Sequence, residues 1–137
     1  MNGYVAFQVD KYRFNRAALI NVGFRYSRKT TRANYMVMHD VDLLPLTREL
    51  SYGKPENGHV MHIAAPGLHP RYNYPTFIGG ILIISMEDFA KANGMSNLYW
   101  GWGLEDDEFY VRLKNVNVVV SGDFFRESII FLAMRAL

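Results

Sequence analysis

The chain has 137 residues, half of them hydrophobic, and a formal net charge of +2 at pH 7, which suits one domain or part of one and argues against nucleic acid as a partner. The absence of cysteine excludes disulfides and thiolate metal sites within these residues. The longest apolar runs are about half as long as a membrane-spanning helix, and the first residues carry charges where a signal peptide has its apolar core, so we expect no membrane span, anchor or signal in this chain.

The first part of the chain alternates extended and helical patterns. YVAFQV is rich in β-formers and predicts a strand. Asn15 is a good N-cap for FNRAALINVGFRYSR, whose apolar residues recur four apart and predict a helix. YMVMHDVD predicts a short strand that runs into acids, and LLPLTRELSYGKPENG, punctuated by proline and glycine, predicts a loop.

The middle of the chain predicts two strands separated by a loop. The strands are HVMHIAA and FIGGILIIS, and the loop between them is PGLHPRYNYPT. Gly79 and Gly80 mark a close approach of another group to the backbone.

Two helices and a strand complete the pattern. Ser85 begins a capping box with Asp88, and the helix that follows should stop near Gly94. A short helix begins at Glu105, and VNVVVS predicts a final strand. Strands that alternate with helices indicate a layered α/β domain with a mainly parallel or mixed sheet. Ligands of such sheets bind beyond the carboxyl ends of the strands.

The segment HDVD is the first candidate site. Asp40 and Asp42 are two residues apart, which in an extended segment places both carboxylates on one side. Together they can hold a hard divalent cation, or one can hold the cation and the other a sugar hydroxyl. The alternative is an acidic turn that ends a strand. His59 and His62 fall on opposite faces of a strand, so we do not interpret them as a metal pair.

The segment WGWGLEDDE is the second candidate site. Acids in the first turn of a helix interact favourably with its dipole, but that effect does not explain four of them behind two tryptophans. Mutual repulsion raises the proton affinity of such acids and the helix N-terminus lowers it, so one of them can act as a general base. Indole faces and carboxylates suit a sugar. The alternative is a packed tryptophan beside a solvated helix start.

Tyr72 and Tyr74 form the third candidate element. They lie in a proline-containing loop that leads into a strand, where they can wall an acceptor pocket. Packing in the core or on the surface is the alternative explanation for either one.

Taken together, these segments resemble the β-1,4-galactosyltransferase family, and above all its members that transfer to xylose. The matching segments, which run from about Phe7 to Val120, are FNRAALINVGF, HDVDLLP, GLHPRYNY, GGILIIS, NGMSN and WGWGLEDDEF. The resemblance implies an α/β fold of the glycosyltransferase A type, a Rossmann-like mixed sheet that is incomplete here. It also implies an inverting, manganese-dependent transfer of galactose from UDP-galactose to a β-xylosyl acceptor of the proteoglycan linker.

The resemblance also implies roles for individual residues. Asp106 would be the catalytic base, and Asp42 would bind manganese. The donor would be bound by Phe14, Arg16, Asp40, Gly79 and Gly80. The sugars would be contacted by Tyr72, Tyr74, Trp102, Glu105 and Asp107. The implied partners are UDP-galactose and a xylosylated proteoglycan core protein, and the implied location is the Golgi lumen or membrane.

Two features depart from the family pattern. All histidines lie at or before His69, so the downstream histidine ligands of the family's manganese site are absent and the site is incomplete. The resemblance also implies a chain that starts inside the catalytic domain. We therefore predict a partial catalytic domain over residues 1–122 and a divergent C-terminal tail over 123–137, formed by a short helix or by out-of-family sequence without a packing partner. We expect a truncated or alternatively spliced chain with little activity alone.

Two other functions fit the same residues. A glycoside hydrolase also uses paired carboxylates, but it needs only water and not UDP-galactose. A noncatalytic carbohydrate-binding module would bind sugar and ignore UDP and manganese. The aspartate pair favours the transferase, because neither alternative requires a metal–diphosphate site.

Overall fold

The computed structural model describes Gly3 and residues 5–45, 50–69, 71–122 and 132–134. The helices are α1 (Arg16–Thr30), α2 (Met86–Lys91) and α3 (Glu105–Asn115). The strands are β1 (Tyr35–His39), β2 (Leu43–Pro45), β3 (His59–His62), β4 (Ile81–Ser85), β5 (Val119–Ser121) and β6 (Leu132–Met134). None of the helices in this part of the chain is both long and apolar enough to cross a lipid bilayer.

The main sheet has the strand order β1-β4-β3-β5. β4 runs antiparallel to both of its neighbours, whereas β3 and β5 are parallel. The prediction of a mixed sheet is therefore confirmed. β2 and β6 form a separate antiparallel pair.

Strand β4 is the centre of the core because both of its faces are buried. Leu82 and Ile84 pack on the same side as Phe89, in the cluster that the helices cover. Ile81 and Ile83 belong to a second cluster on the opposite side. Full burial of one such side chain stabilises a fold by about 1.5–3 kcal/mol. The apolar run therefore gives a rigid support for the loops at its two ends.

The N-terminal part of α1 is fixed by two asparagines. The Asn15 side chain accepts a hydrogen bond from the Ala18 N–H at 2.9 Å and donates one to the Asn97 carbonyl at 2.8 Å. Asn21 donates to the Met95 carbonyl at 2.7 Å and accepts from the Met95 N–H at 3.0 Å. The predicted N-cap is confirmed, and its second hydrogen bond holds the loop that leads into the tryptophan segment.

The predicted capping box at α2 is confirmed only in part: Ser85 caps the helix, but the Asp88 carboxylate bonds the Ser85 hydroxyl and not its backbone N–H. The Ser85 hydroxyl accepts a hydrogen bond from the Asp88 N–H at 2.9 Å and donates one to the Asp88 carboxylate at 2.7 Å. Gly58 donates its N–H to the same carboxylate at 3.2 Å. Asp88 therefore joins α2 to the turn before β3.

Two predictions at the N-terminal end and after β1 are wrong. Residues 5–9 form no strand, and Val5, Phe7 and Val9 are exposed. They have β propensity, but no described strand lies beside them to complete a ladder. Leu43–Pro45, predicted as loop, is strand β2 because it pairs with β6. That partner lies almost 90 residues further along the chain, so no local pattern announces it.

The tail is described only at Leu132–Met134, which is a strand. Neither a short helix nor a segment without a packing partner describes these residues, so that expectation is wrong for them. The other residues from 123 to 137 lie outside the described part. The domain boundary after residue 122 stays a prediction.

His62 gives the fold a dependence on pH that can be measured. Burial lowers the pKa of His62 from 6.5 to about 4, although its hydrogen bond to the Gly79 carbonyl, 2.7 Å long, opposes the shift. Between pH 6.5 and pH 4, His62 is protonated in the unfolded chain but stays neutral in the folded chain. The free energy of unfolding therefore falls as pH falls. The expected loss is about 3 kcal/mol between pH 7 and pH 4.

Urea unfolding at both pH values tests this expectation. We expect His62→Gln to be less stable than the wild type at pH 7 but to lose less stability on acidification. His59→Gln is the matched control, because His59 is only half-buried on the same strand. Equal losses for the wild type and His62→Gln would show that His62 is not the proton acceptor.

Candidate active site

A single open cleft of about 1890 Å³ contains every residue that the sequence analysis singled out as a site residue. Its lining includes Phe14, Arg16, Asp40, Asp42, Tyr72, Tyr74, Gly79, Gly80, Trp102, Glu105, Asp106 and Asp107. These residues come from four separate segments of the chain. The fold therefore assembles one site from motifs that are distant in sequence.

Arg16 connects three of these segments. Its guanidinium donates two hydrogen bonds to one carboxylate oxygen of Asp40, from Nε at 3.0 Å and from Nη2 at 2.7 Å. Its Nη1 lies 3.7 Å from a Glu105 carboxylate oxygen. Arg16 is the first residue of α1, Asp40 follows β1, and Glu105 begins α3. A cation at this junction neutralises acids that would otherwise repel each other.

The tryptophan segment is a glycine turn held against the start of α1. Gly101 and Gly103 have φ values of +95° and +97°, a region that side chains disfavour. The Gly101 N–H donates a hydrogen bond to the Phe14 carbonyl at 2.8 Å. The backbone therefore turns sharply around Trp102, and the turn leaves this indole 85% exposed at the cleft.

Two carboxylates at the start of α3 are harder to ionise than free ones. Burial raises the pKa of Asp106, and repulsion from Asp107 adds to it, whereas backbone N–H groups and Arg16 oppose the shift. Burial likewise raises the pKa of Glu105. Mutual repulsion of the four acids was the cause expected from the sequence, but removal from water is the larger effect. The local sequence around Asp106 and Glu105 does not show that these carboxylates are buried.

The other two acids of this helix turn have separate partners. Asp107 accepts a hydrogen bond from the Tyr74 hydroxyl at 2.9 Å, which ties the tyrosine loop to α3. Burial and this hydrogen bond raise the pKa of Tyr74, so the hydroxyl keeps its proton and acts as a donor. Glu108 forms an ion pair with Arg112 at 2.7 Å, one turn along the helix. Glu108 therefore belongs to the helix surface and not to the cleft lining.

The two glycines before β4 form the floor of the cleft. A Cβ atom on Gly79 would lie 2.5 Å from the Asp106 Oδ2 and 2.8 Å from the Phe77 ring. Gly80 has a φ of +81°, and a Cβ there would meet Ala64 and Leu43, each at 2.8 Å. The predicted close approach is present at both positions, and β4 starts only after them.

The HDVD segment is not extended beyond His39, which corrects the expectation that both carboxylates leave one side of a strand. Residues 41 and 42 form a turn, closed by a hydrogen bond from the Leu43 N–H to the Asp40 carbonyl at 3.3 Å. Asp40 turns toward Arg16, and Asp42 is exposed. Both carboxylates still line the cleft. The turn therefore gives them different surroundings, with Asp40 bound by Arg16 and Asp42 exposed.

The residues at this turn allow a test of the metal prediction. Asp42 offers a hard carboxylate oxygen, which suits manganese, while Asp40 is engaged by Arg16. Among the described residues, no group of three histidine, cysteine or acidic side chains can hold a metal ion. Asp42 thus fits as one ligand, and the described residues do not supply a complete set.

His69 is a cleft residue that the sequence analysis missed. Its ring stacks on Tyr72, with centroids 5.0 Å apart, and meets the edge of Phe77 at 4.9 Å. Tyr72 in turn lies 6.2 Å from the Trp102 ring. The segment GLHPRYNY contained the signal, because a histidine three residues before a tyrosine in a tight loop can stack on it.

Comparisons with known proteins agree with this geometry. Residues 2–54 match a family model described as the N-terminal region of glycosyl transferase group 7, and residues 59–125 match one described as the N-terminal domain of galactosyltransferase. The human protein beta-1,4-galactosyltransferase 7 is 58% identical over 115 residues, which cover 84% of this chain and 34% of the relative. Xylosylprotein 4-beta-galactosyltransferase of Caenorhabditis elegans is 56% identical over 106 residues, with coverages of 77% and 36%.

A solved structure is similar as well. A mutant of the Drosophila beta-1,4-galactosyltransferase 7, in complex with manganese, UDP-Gal and xylobiose, superposes with a TM-score of 0.83 at 47% identity. The alignment covers 94% of this chain and 55% of that one. The fold is therefore that of a galactosyltransferase catalytic domain, as predicted. The chain spans about a third of the length of the curated relatives it matches, and it belongs to the galactosyltransferase family of glycosyl transferase group 7.

Proposed function

We propose that the cleft belongs to a galactosyltransferase that moves galactose from UDP-galactose to a β-xylosyl acceptor. The observation that carries the proposal is the position of Arg16, which binds Asp40 and pairs with Glu105. This contact brings the acids after β1 to the acids that begin α3. A donor and an acceptor can therefore meet in one cleft.

The donor side of the cleft is formed by α1, the turn after β1 and the glycine floor. Phe14 is half-exposed beside Arg16 and offers an apolar face to a nucleotide base. Arg16 and Asp40 offer fixed charges to the sugar nucleotide, and Gly79 with Gly80 leaves room for its galactose. The acceptor side is formed by Tyr72, Tyr74 and Trp102, whose aromatic faces suit the C–H patches of xylose.

Asp106 is the proposed general base. The xylose 4-hydroxyl oxygen attacks the anomeric carbon of galactose while the bond from that carbon to the UDP oxygen breaks. The hydroxyl proton goes to the Asp106 carboxylate, and UDP leaves with the bonding electrons. Attack from the face opposite the leaving group inverts the configuration. Glu105 and Asp107 flank the base and bind sugar hydroxyls.

Manganese is the proposed cofactor, and it supplies charge neutralisation for the leaving diphosphate when bound. Asp42 is the ligand proposed from this part of the chain. Its exposure at the turn leaves the carboxylate open to the cleft. Asp40 is instead held by Arg16, and its proposed role is to bind the sugar nucleotide. We further propose a xylosylated proteoglycan core protein as the acceptor and the Golgi as the location, both by analogy with the family.

Calorimetry and a transfer assay test the proposed function. We expect the chain to bind UDP-galactose more tightly with manganese than without it, and to bind xylobiose more tightly once UDP-galactose and manganese are present. Because we expect little activity from this chain alone, mass spectrometry should detect only a small amount of galactosyl-xylobiose, together with UDP. The affinities should be modest, because the described residues offer manganese only part of a coordination set.

Other outcomes separate the alternatives. Release of free galactose from a galactoside without UDP-galactose would indicate a glycoside hydrolase. Xylobiose binding that ignores both UDP-galactose and manganese would indicate a noncatalytic module. Either outcome would overturn the proposal.

A further inference from the structure

His69 has a fixed orientation in the cleft. Its Nδ1 accepts two backbone hydrogen bonds, from the Arg71 N–H at 3.1 Å and from the Tyr72 N–H at 2.9 Å. The stacked Tyr72 ring and the edge-on Phe77 ring hold the imidazole plane. The ring therefore has one orientation, set by its own loop and by the residues that precede β4.

The two accepted hydrogen bonds determine where the ring carries its proton. A nitrogen that accepts a hydrogen bond has no hydrogen of its own, so the neutral His69 must be protonated at Nε2. A histidine that binds a metal has the opposite arrangement, because the remote nitrogen donates its N–H to an acceptor and the metal takes the free lone pair. In His69 the nitrogen that would lie away from a metal is Nδ1, and it faces two backbone N–H donors instead of an acceptor. Nε2 therefore offers a hydrogen and no lone pair.

The ring edge that carries Cδ2 and Nε2 lies beside Gly80, on the glycine floor that we assign to the donor side of the cleft. The neighbouring ring atom, Cδ2, faces the floor, where a Cβ atom on Gly80 would lie 3.4 Å away. His69 lines the same cleft as Asp40 and Asp42, the acids of the turn after β1. In the described structure, His69 Nε2 has no hydrogen-bond acceptor among the contacts of the ring.

We propose that His69 binds the donor substrate through its Nε2–H, as a hydrogen-bond donor to an oxygen of the galactosyl diphosphate, and that it is not a manganese ligand. This assignment rests on the proposed function, since it names a further binding residue of the same cleft. A neutral N–H suits this place because a second cation beside Arg16 would compete with the metal ion, and a further acid would repel the diphosphate.

Two substitutions of His69 test the roles of its two ring nitrogens separately. In His69→Asn the amide oxygen takes the place of Nδ1, so the loop keeps its acceptor while the hydrogen at Nε2 is lost. In His69→Gln the amide N–H takes the place of Nε2, while the acceptor for the two backbone groups is lost. We expect His69→Asn to raise the Kd of UDP-galactose about 3- to 10-fold, the usual effect of one neutral hydrogen bond.

The control measurements separate binding from folding. We expect His69→Gln to bind UDP-galactose more tightly than His69→Asn but to melt at a lower temperature. UDP alone distinguishes the two kinds of oxygen, because an equal loss of UDP affinity indicates the diphosphate and an unchanged one indicates the galactose. Manganese affinity, measured by electron paramagnetic resonance, should be the same for the wild type and His69→Asn.

Nitrogen NMR of the wild-type chain labelled with 15N-histidine tests the proton position directly. We expect Nδ1 to be unprotonated and Nε2 to carry the hydrogen, with a shift of the Nε2 signal on addition of UDP-galactose. A proton on Nδ1, a loss of manganese affinity in His69→Asn, or a loss confined to xylobiose affinity would overturn the assignment. If the wild type binds no UDP-galactose at all, the proposed function fails instead.

Discussion

We expect Asp106→Asn to lower galactose transfer by about 10²- to 10⁴-fold, the usual contribution of a general base. Asparagine has nearly the same shape as aspartate, and its oxygen can still accept the hydrogen bond that the Asp107 N–H gives to Asp106 at 3.0 Å. The affinity for UDP-galactose should therefore stay at the wild-type value. Transfer to xylobiose is measured in single turnovers with the chain in excess, so that slow reactions are quantified.

Glu56→Gln is the control for Asp106→Asn. It removes an exposed carboxylate outside the cleft, so transfer should not change. The pH dependence gives a second readout, because a base whose pKa is raised by burial loses its charge at a higher pH than a free carboxylate. Transfer by the wild type should fall as pH falls through that raised pKa. Full transfer by Asp106→Asn with donor binding intact would contradict the role of Asp106.

The sequence predicted best those elements that are specified by neighbouring residues. Asn15 caps α1 and Ser85 caps α2, because a cap depends on a side chain and backbone groups within three residues. The apolar run before Ser85 predicted a buried strand, since burial on both faces needs no polar alternation. These signals are local, and the structure follows them.

The predictions that were wrong concern segments whose structure depends on residues that are distant in the sequence. YVAFQV has the composition of a strand, but a strand also needs a neighbour, and none of the described strands lies beside it. Leu43–Pro45 has the punctuation of a loop, yet it pairs with Leu132–Met134. The side-chain spacing of Asp40 and Asp42 assumed an extended backbone, and a turn replaced it. In each of these segments the outcome depends on residues far away in the sequence.

The candidate site shows the same division. Residue types and order led to one cleft that contains all the predicted residues, because the resemblance to a family carries long-range information that local patterns lack. The burial and the hydrogen-bond partners of the site residues could not be predicted from the sequence. The burial that raises the pKa of Asp106 and the two N–H groups that fix the His69 proton depend on how separate loops pack together.

Gly79→Ala should be nearly as damaging to transfer as the loss of the base itself. The new Cβ atom would lie 2.5 Å from the Asp106 Oδ2, so the carboxylate must move away from the floor of the cleft. A displacement of about 1 Å in a reacting group can cost about 10²-fold in rate. The same Cβ atom meets the buried Phe77 ring at 2.8 Å, so we also expect a loss of about 1–3 kcal/mol in stability from overpacking.

Gly23→Ala is the matched control, because nothing lies within 4 Å of a Cβ atom at that position in α1. There the same substitution should stabilise the chain by about 0.5–1 kcal/mol, so it controls for the effect of the added methyl group on stability. A double-mutant cycle in urea identifies the cause of the damage. If the Asp106 carboxylate is the obstacle, Gly79→Ala must cost less stability in an Asp106→Ala background than in the wild type. Equal costs in both backgrounds would assign the clash to Phe77 alone and would remove the argument that Gly79 fixes the position of the base.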